Sequence, residues 1–69
     1  MKQIIHKYPN GKILEIHYKN NKNQLHGLYM DFYYNGNRSR KFNYINGNLY
    51  GLNTWYWSND KIEKQKYIL

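Results

Sequence analysis

The sequence predicts an all-β protein, a six-stranded antiparallel meander in one domain that spans residues 1–69. Turn-forming residues recur at nearly even intervals along the chain, which is the first of three observations behind this prediction. The segments between the turns are rich in Tyr, Ile, Phe and Trp, the side chains that favour strands. Ala is absent and helical periodicity is weak, so helices are not expected.

Five turns divide the chain into these segments. Three of them contain an Asn-Gly pair, at positions 10–11, 35–36 and 46–47, and the polar stretch 20–24 and Asn59-Asp60 supply the other two. Asn-Gly is the strongest short hairpin signal, because both residues tolerate the positive φ of a type I′ turn. The predicted strands lie near residues 2–8, 12–19, 27–34, 37–45, 51–58 and 61–68.

Alternation of side chains justifies the second and third strands, since successive residues of a strand point to opposite faces. One face of the second strand is apolar and consists of Leu14, Ile16 and Tyr18. One face of the third strand is apolar in the same way and consists of Leu28, Met30, Phe32 and Tyr34. Both strands therefore read as half-buried members of a sheet.

The later strands are less regular. The fourth carries polar and basic residues from Arg38 to Lys41 and spans one more residue than its counterparts, which a β-bulge or a shifted register would absorb. In the fifth, Trp55 and Trp57 are expected on one face and Tyr56 on the other. The first and last strands leave open edges, and three lysines on the last strand read as edge protection: Lys61, Lys64 and Lys66.

An internal repeat supports the hairpin assignment. His26-Gly27-Leu28 recurs as Tyr50-Gly51-Leu52, and the segment 8–11 matches 33–36. A short unit that recurs in this way is typical of proteins that stack near-identical hairpins.

These residues carry a family resemblance. The unit from His26 to Gly36, followed by Tyr44-Ile-Asn-Gly47, resembles a MORN repeat of the variant found in small bacterial and phage antitoxin-like proteins. About two and a half such repeats cover nearly the whole chain, and the resemblance implies a single curved sheet of successive hairpins. Three departures from the pattern are Asn53 at a common aromatic position, Asp60 at the turn glycine, and about two extra residues in 20–26.

Catalysis and metal binding are not expected. The chain has no cysteine, and its histidines at positions 6, 17 and 26 lack the close spacing of a zinc site, although His6 and His17 could meet on neighbouring strands. A carboxylate pair would have to be assembled across strands from Glu15, Asp31 or Glu63. No nucleophile motif surrounds the few hydroxyl side chains, so we expect a non-enzymatic protein without cofactor.

Binding is the expected activity, and six residues are the candidates for it: Tyr29, Tyr33, Arg38, Arg40, Trp55 and Trp57. Tyr, Trp and Arg dominate binding hot spots, and 13 aromatic residues exceed what one sheet can bury. Core packing is the alternative for the aromatic residues. The formal charge of +7 partly reflects lysine codons of an A/T-rich genome, so the basic surface is a solvated strand face, a nucleic-acid contact or a site for an acidic protein.

We expect a small protein-binding module that docks through an aromatic sheet face or an edge strand. The resemblance implies an inhibitor or modulator of a host or defence protein, encoded by a phage or mobile element. The alternative is a binder of single-stranded nucleic acid, RNA or an anionic membrane, and homodimerisation would also cover an open edge or face. No targeting segment is visible in the sequence, so a cytoplasmic location is expected, in the host cytoplasm if the chain is phage-encoded.

Overall fold

The fold is an antiparallel meander, as the sequence predicts. The computed structural model describes all 69 residues and contains no helix. Seven strands are present: β1 (Lys2–Lys7), β2 (Ile13–Lys19), β3 (Gly27–Phe32), β4 (Arg38–Ile45), β5 (Asn48–Leu49), β6 (Gly51–Tyr56) and β7 (Ile62–Ile68). All six predicted strands are confirmed with ends within two residues, while the two-residue β5 was not predicted.

The strands form one sheet and one layer. Their order is β1-β2-β3-β4-β6-β7, every pairing is antiparallel, and β5 pairs only with β4. The backbone measures 33 × 28 × 10 Å, so no second layer covers either face. Only Phe42 and Tyr56 are buried hydrophobic residues, which means that packing occurs between neighbouring side chains within each face. No helix that could span a membrane is present.

The five predicted turns are confirmed in position, but two of the three Asn-Gly turns are not of the predicted type I′. Gly11, Gly36 and Asp60 have φ of +86°, +92° and +70°, and the Asn before each has no positive φ. In each of these turns a backbone bond closes a three-residue loop, as between Tyr8 N and Lys12 O. In a three-residue hairpin loop of this kind, the last residue has a left-handed backbone conformation. Only Asn46-Gly47, with φ of +47° and +86°, has the two positive φ values of a type I′ turn.

A β-bulge occurs at the same place in all three long hairpins. Register shifts lie after His6, Asp31 and Trp55, and each leaves one extra residue on the returning strand: Leu14, Ser39 and Glu63. The bulge expected between Arg38 and Phe42 is therefore present, but it is a property of the repeat and compensates for no insertion. The structural counterpart of Tyr18 is Asn43, which pairs with Leu28, and the apparent extra residue disappears.

Tyrosine hydroxyls join successive hairpins to one another. The Tyr8 hydroxyl donates to the Phe32 carbonyl at 2.7 Å, and the Tyr33 hydroxyl donates to the Tyr56 carbonyl at 2.6 Å. Tyr8 and Tyr33 occupy equivalent turn positions, so the same bond is made twice. Trp57 occupies the third equivalent position, in the turn between β6 and β7, and it is 54% exposed.

Asn53 completes the sheet where β4 and β6 diverge. Its side-chain oxygen accepts from the Asn43 amide at 2.8 Å, and its side-chain nitrogen donates to the Gly51 carbonyl at 3.0 Å. The residue is fully buried, so both polar groups need these partners. The Asn53 side chain thus substitutes for missing backbone pairing between the two strands.

Candidate functional site

The two faces of the sheet differ in chemistry, and the cross-strand registers define them. One face, called here the ionic face, contains two rows of neighbours: His6, Glu15, Asp31, Arg40, Trp55 and Lys64, and Ile4, His17, Tyr29, Phe42, Asn53 and Lys66. The opposite face, called the aliphatic face, also contains two rows: Ile5, Ile16, Met30, Lys41, Thr54 and Gln65, and Gln3, Tyr18, Leu28, Asn43, Leu52 and Tyr67.

A chain of polar contacts crosses the ionic face. His17 Nδ1 donates to Glu15 Oε1 at 2.5 Å, and Arg40 donates to Asp31 Oδ2 through Nε at 2.8 Å and Nη2 at 2.5 Å. Between them, the Tyr29 hydroxyl lies 3.2 Å from Asp31 Oδ2 and 3.4 Å from Glu15 Oε2. His17 and Asp31 are each only 8% exposed. The Asp31 carboxylate is paired with Arg40 and the His17 ring is hydrogen-bonded to Glu15, so both buried side chains have a partner within the sheet.

The Tyr29 hydroxyl is perturbed by this setting. Partial burial, followed by the negative charges of Asp31 and Glu15, raises the pKa of Tyr29 to about 12. The hydrogen bond that Arg40 donates to Asp31 raises the pKa of Arg40, because the carboxylate stabilises the charged guanidinium. Tyr29 therefore stays neutral and Arg40 stays charged across the physiological range.

Aromatic rings form a continuous row beside these ionic groups. The centroids of His6, His17, Tyr29, Phe42 and Trp55 follow one another at 6.2, 6.2, 5.9 and 4.9 Å. The Arg40 guanidinium lies 5.8 Å from the Phe42 centroid, and the Lys64 ammonium lies 4.6 Å from that of Trp55. These rings pack on one another and against cations.

The structure separates the six predicted binding residues into two groups. Tyr29, Arg40 and Trp55 lie together on the ionic face, and their contacts there are mostly internal. Tyr33, Arg38 and Trp57 lie at the turn end of the sheet. The Ser39 bulge lies between Arg38 and Arg40, which pair with Phe32 and Asp31 respectively.

Arg38 is engaged at the turn end. Its guanidinium lies 4.4 Å from the Tyr56 ring centroid, and it donates to Asp60 through Nε at 3.2 Å and Nη2 at 3.3 Å. The hydrogen bond to Asp60 raises the pKa of Arg38. Asp60 thus fills the left-handed turn position usually taken by glycine and also neutralises an arginine of the preceding hairpin.

The positive charge resides on the lysines. Arg38 and Arg40 form ion pairs with acidic side chains and His17 contacts Glu15, whereas none of the nine lysines has an acidic partner. Two lysines lie on each edge strand, Lys2 and Lys7 on β1 and Lys64 and Lys66 on β7. Lys41 is the one charged side chain in the two rows of the aliphatic face.

The aliphatic face is the surface that sequence reasoning did not select. Ile5 pairs with Ile16, and Ile16 pairs with Met30, so an apolar row crosses three strands. Ile5 is 43% exposed, and nothing packs over this row in a one-layer sheet. The alternation of apolar residues at Leu28 and Met30 was the available signal, and it predicts a half-buried strand without showing whether a second layer covers that face.

The one pocket of the structure lies elsewhere, in the loop between β2 and β3. It has a volume of about 340 Å³ and is lined by polar side chains only: Asn20, Asn21, Lys22, Gln24 and Asn46. Asn20 accepts from the amides of Lys22 and Gln24 and donates to Asn46, so these bonds order the loop against the neighbouring turn. No group of three or more His, Asp or Glu side chains is placed to hold a metal ion.

Comparisons with known proteins give no relative for this chain. No protein-family model, no curated protein and no solved structure matches it.

Proposed function

We propose that the chain is a non-enzymatic protein-binding module whose docking surface is the aliphatic face. The observation that carries this proposal is the contrast between the two faces. On the ionic face, the arginine and the aromatic rings have partners within the sheet. On the aliphatic face, Ile5, Ile16 and Met30 form an apolar row with no layer above it. An apolar surface of this kind on a soluble chain is typical of an interaction site.

The size of the sheet fits a protein partner. A stable protein–protein interface buries roughly 800 Å² on each side. The sheet extends 33 Å by 28 Å, so one face offers an area of that order. A partner that covered the aliphatic face would supply the second layer that β-sheets normally need.

Lys41 indicates the chemistry of that partner. It lies on β4 near the middle of the face, and the two rows that define the face contain no acidic residue. A second copy docked face to face would bury both Lys41 ammonium groups without a carboxylate, which is costly. We therefore propose a different protein with an apolar surface and an acidic side chain opposite Lys41.

The same contacts weigh against nucleic-acid binding as the main activity. Stacking of single-stranded bases needs exposed ring faces next to available cations. Phe42 and Trp55 instead lie under Arg40 and Lys64, and Arg40 is paired with Asp31. The role that the MORN-like pattern implies, modulation of a host or defence protein, is compatible with a docking module of this kind and stays part of the proposal.

The test is capture of a partner by the tagged chain from an extract of its native cell, with and without nuclease. We expect Ile5→Asp to abolish capture, because Ile5 is exposed and a charge there would be buried by the partner. Tyr34→Asp is the matched control, since Tyr34 is 58% exposed but lies in a turn outside the strands. Circular dichroism would verify that both variants are folded.

Three outcomes would contradict the proposal. Capture that disappears with nuclease, or that weakens steeply between 50 and 200 mM salt, would indicate nucleic acid. Binding to lipid vesicles that Ile5→Asp removes would indicate a membrane surface. Equal loss of capture in both variants would show that the aliphatic face has no special role.

A further inference from the structure

We propose that the open edge of β7 binds an acidic β-strand of a protein partner by strand addition. This inference rests on the proposed protein-binding function and adds a second surface to it, with a defined register and charge pattern. The expected segment carries acidic residues at two alternate positions, facing Lys64 and Lys66. Its intervening residues are apolar and lie on the aliphatic side.

The first argument is that β7 has the form of a strand that accepts a neighbour. It spans seven residues, as many as β2, and contains no proline. Its bulged residue, Glu63, lies near its start, so Lys64 to Ile68 run in regular register with β6. β7 is the last strand in the sheet order, and its outer backbone groups have no strand beside them. Such an edge is a template for strand addition.

The second argument comes from the repeat. Tyr8 and Tyr33 each donate a hydrogen bond to a carbonyl of the next hairpin, at Phe32 and Tyr56. Trp57 holds the equivalent turn position beside β7, and its side chain is exposed. A strand added to β7 would place a backbone carbonyl near Trp57, in the same way that Phe32 and Tyr56 present carbonyls to Tyr8 and Tyr33.

The third argument is the character of the side chains around this edge. Four of the eleven exposed large hydrophobic residues belong to the last hairpin: Leu52, Trp57, Ile62 and Tyr67. Lysines that only protected an edge from pairing would not require this apolar surface. Tyr67 and its neighbour Leu52 lie on the aliphatic side, whereas Lys64 and Lys66 lie on the ionic side.

The lysines of β7 determine which kind of strand can pair with this edge. The β6 residues beside Lys64 and Lys66 are Trp55 and Asn53, so neither lysine has a carboxylate across the strand. Opposite charges on directly paired residues stabilise a sheet and like charges destabilise it. A second copy would offer β1, with Lys2 and Lys7 and no acidic residue, or another β7, whose regular part from Lys64 to Ile68 has no acidic residue either. Both would bring positive charge to positive charge. An acidic strand is therefore the favoured partner.

The test uses a synthetic probe and needs no native partner. A capped heptapeptide that alternates Glu with Val would be titrated into the ¹⁵N-labelled chain at 0.15 M salt and followed by NMR. We expect chemical-shift changes in β7 and at the Trp57 indole, together with slower hydrogen exchange of outward-facing β7 amides. The same peptide with Lys in place of Glu should not bind.

A matched pair of double variants tests the role of the two lysines. Lys64→Glu with Lys66→Glu should lower the affinity for the Glu peptide at least about tenfold and create binding of the Lys peptide. Lys12→Glu with Lys22→Glu changes the net charge by the same amount at two turns, and should alter the affinity by no more than about twofold because salt screens distant charges.

The proposal would be overturned if the Glu peptide failed to bind the folded chain, since the lysines would then only protect the edge. Shift changes confined to β1 or to Ile5 and Met30, equal losses in both double variants, or a second copy at the edge by sedimentation would overturn it too. None of these results decides the outcome of the partner-capture experiment. Loss of capture in Ile5→Asp but not in the Lys64 and Lys66 variant would retain the proposed function and remove this inference.

Discussion

Replacing Tyr33 with Phe tests whether the hairpins are held together by the repeated tyrosine bond. The substitution removes one hydroxyl, which donates to the Tyr56 carbonyl at 2.6 Å, and leaves the ring in place. Tyr56 is only 6% exposed, so water cannot fully replace the lost donor. A net hydrogen bond is worth about 1 kcal/mol and an unpaired buried acceptor costs somewhat more, so we expect a loss of about 1.5 kcal/mol in the free energy of unfolding.

Urea titration and thermal melting, followed by circular dichroism, would measure this loss. In a domain of this size the midpoint temperature should fall by roughly 6–12 °C. Tyr8→Phe should give a similar loss, because the Tyr8 hydroxyl makes the equivalent bond to Phe32. The two losses should add in the double variant, since the two bonds share no partner.

Tyr34→Phe is the matched control for both substitutions. Tyr34 is 58% exposed, and its hydroxyl makes no hydrogen bond, so its loss should change the stability by less than about 0.5 kcal/mol. The reasoning would be refuted if Tyr33→Phe were as mild as Tyr34→Phe. If the double variant lost much less stability than the sum of the two single losses, the two hairpin junctions would be coupled. The hairpins would then not be joined by independent contacts.

Three further predictions concern the turns, the buried amide and the perturbed tyrosine. Gly36→Ala should cost about 1 kcal/mol in urea titration, because Gly36 has φ of +92° and a side chain is strained there. Asn53→Ala should cost about 2 kcal/mol in the same assay, because it leaves the buried Asn43 amide without its acceptor. The Tyr29 pKa is raised from 10.0 to about 12, so the wild type should lose stability relative to Tyr29→Phe as pH rises from 10 to 12, measured by unfolding at each pH.

Each of these predictions has a result that contradicts it. An unchanged urea midpoint in Gly36→Ala would mean that the turn adopts another form. An Asn53→Ala variant as stable as the wild type would mean that water reaches the Asn43 amide. The Tyr29 prediction has a definite sign, because the folded state holds the hydroxyl proton more tightly than the unfolded state. Parallel pH profiles for wild type and Tyr29→Phe would show that the hydroxyl does not lie between the two carboxylates.

The candidate surface could be predicted only in part. Tyr29, Arg40 and Trp55 were selected for their residue types, and the sheet does bring them to one face. Residue type does not reveal that Asp31 neutralises Arg40, because this contact depends on the β3–β4 register. The aliphatic face was not selected for a related reason, since alternation shows which residues share a face but not whether anything covers that face.

Local chemistry in the sequence determined the number, order and approximate ends of the six long strands, because turn residues and side-chain alternation act within a few positions of the chain. Only the tertiary structure decided the bulges at Leu14, Ser39 and Glu63, the three-residue form of most turns, and the partners of each charge. The bulges and the turn forms depend on how the two strands of each hairpin pair, and the partners of each charge depend on which strands lie side by side. A shift of one residue in register changes every cross-strand neighbour, so the ionic face and the aliphatic face take their character from pairings that no single segment encodes.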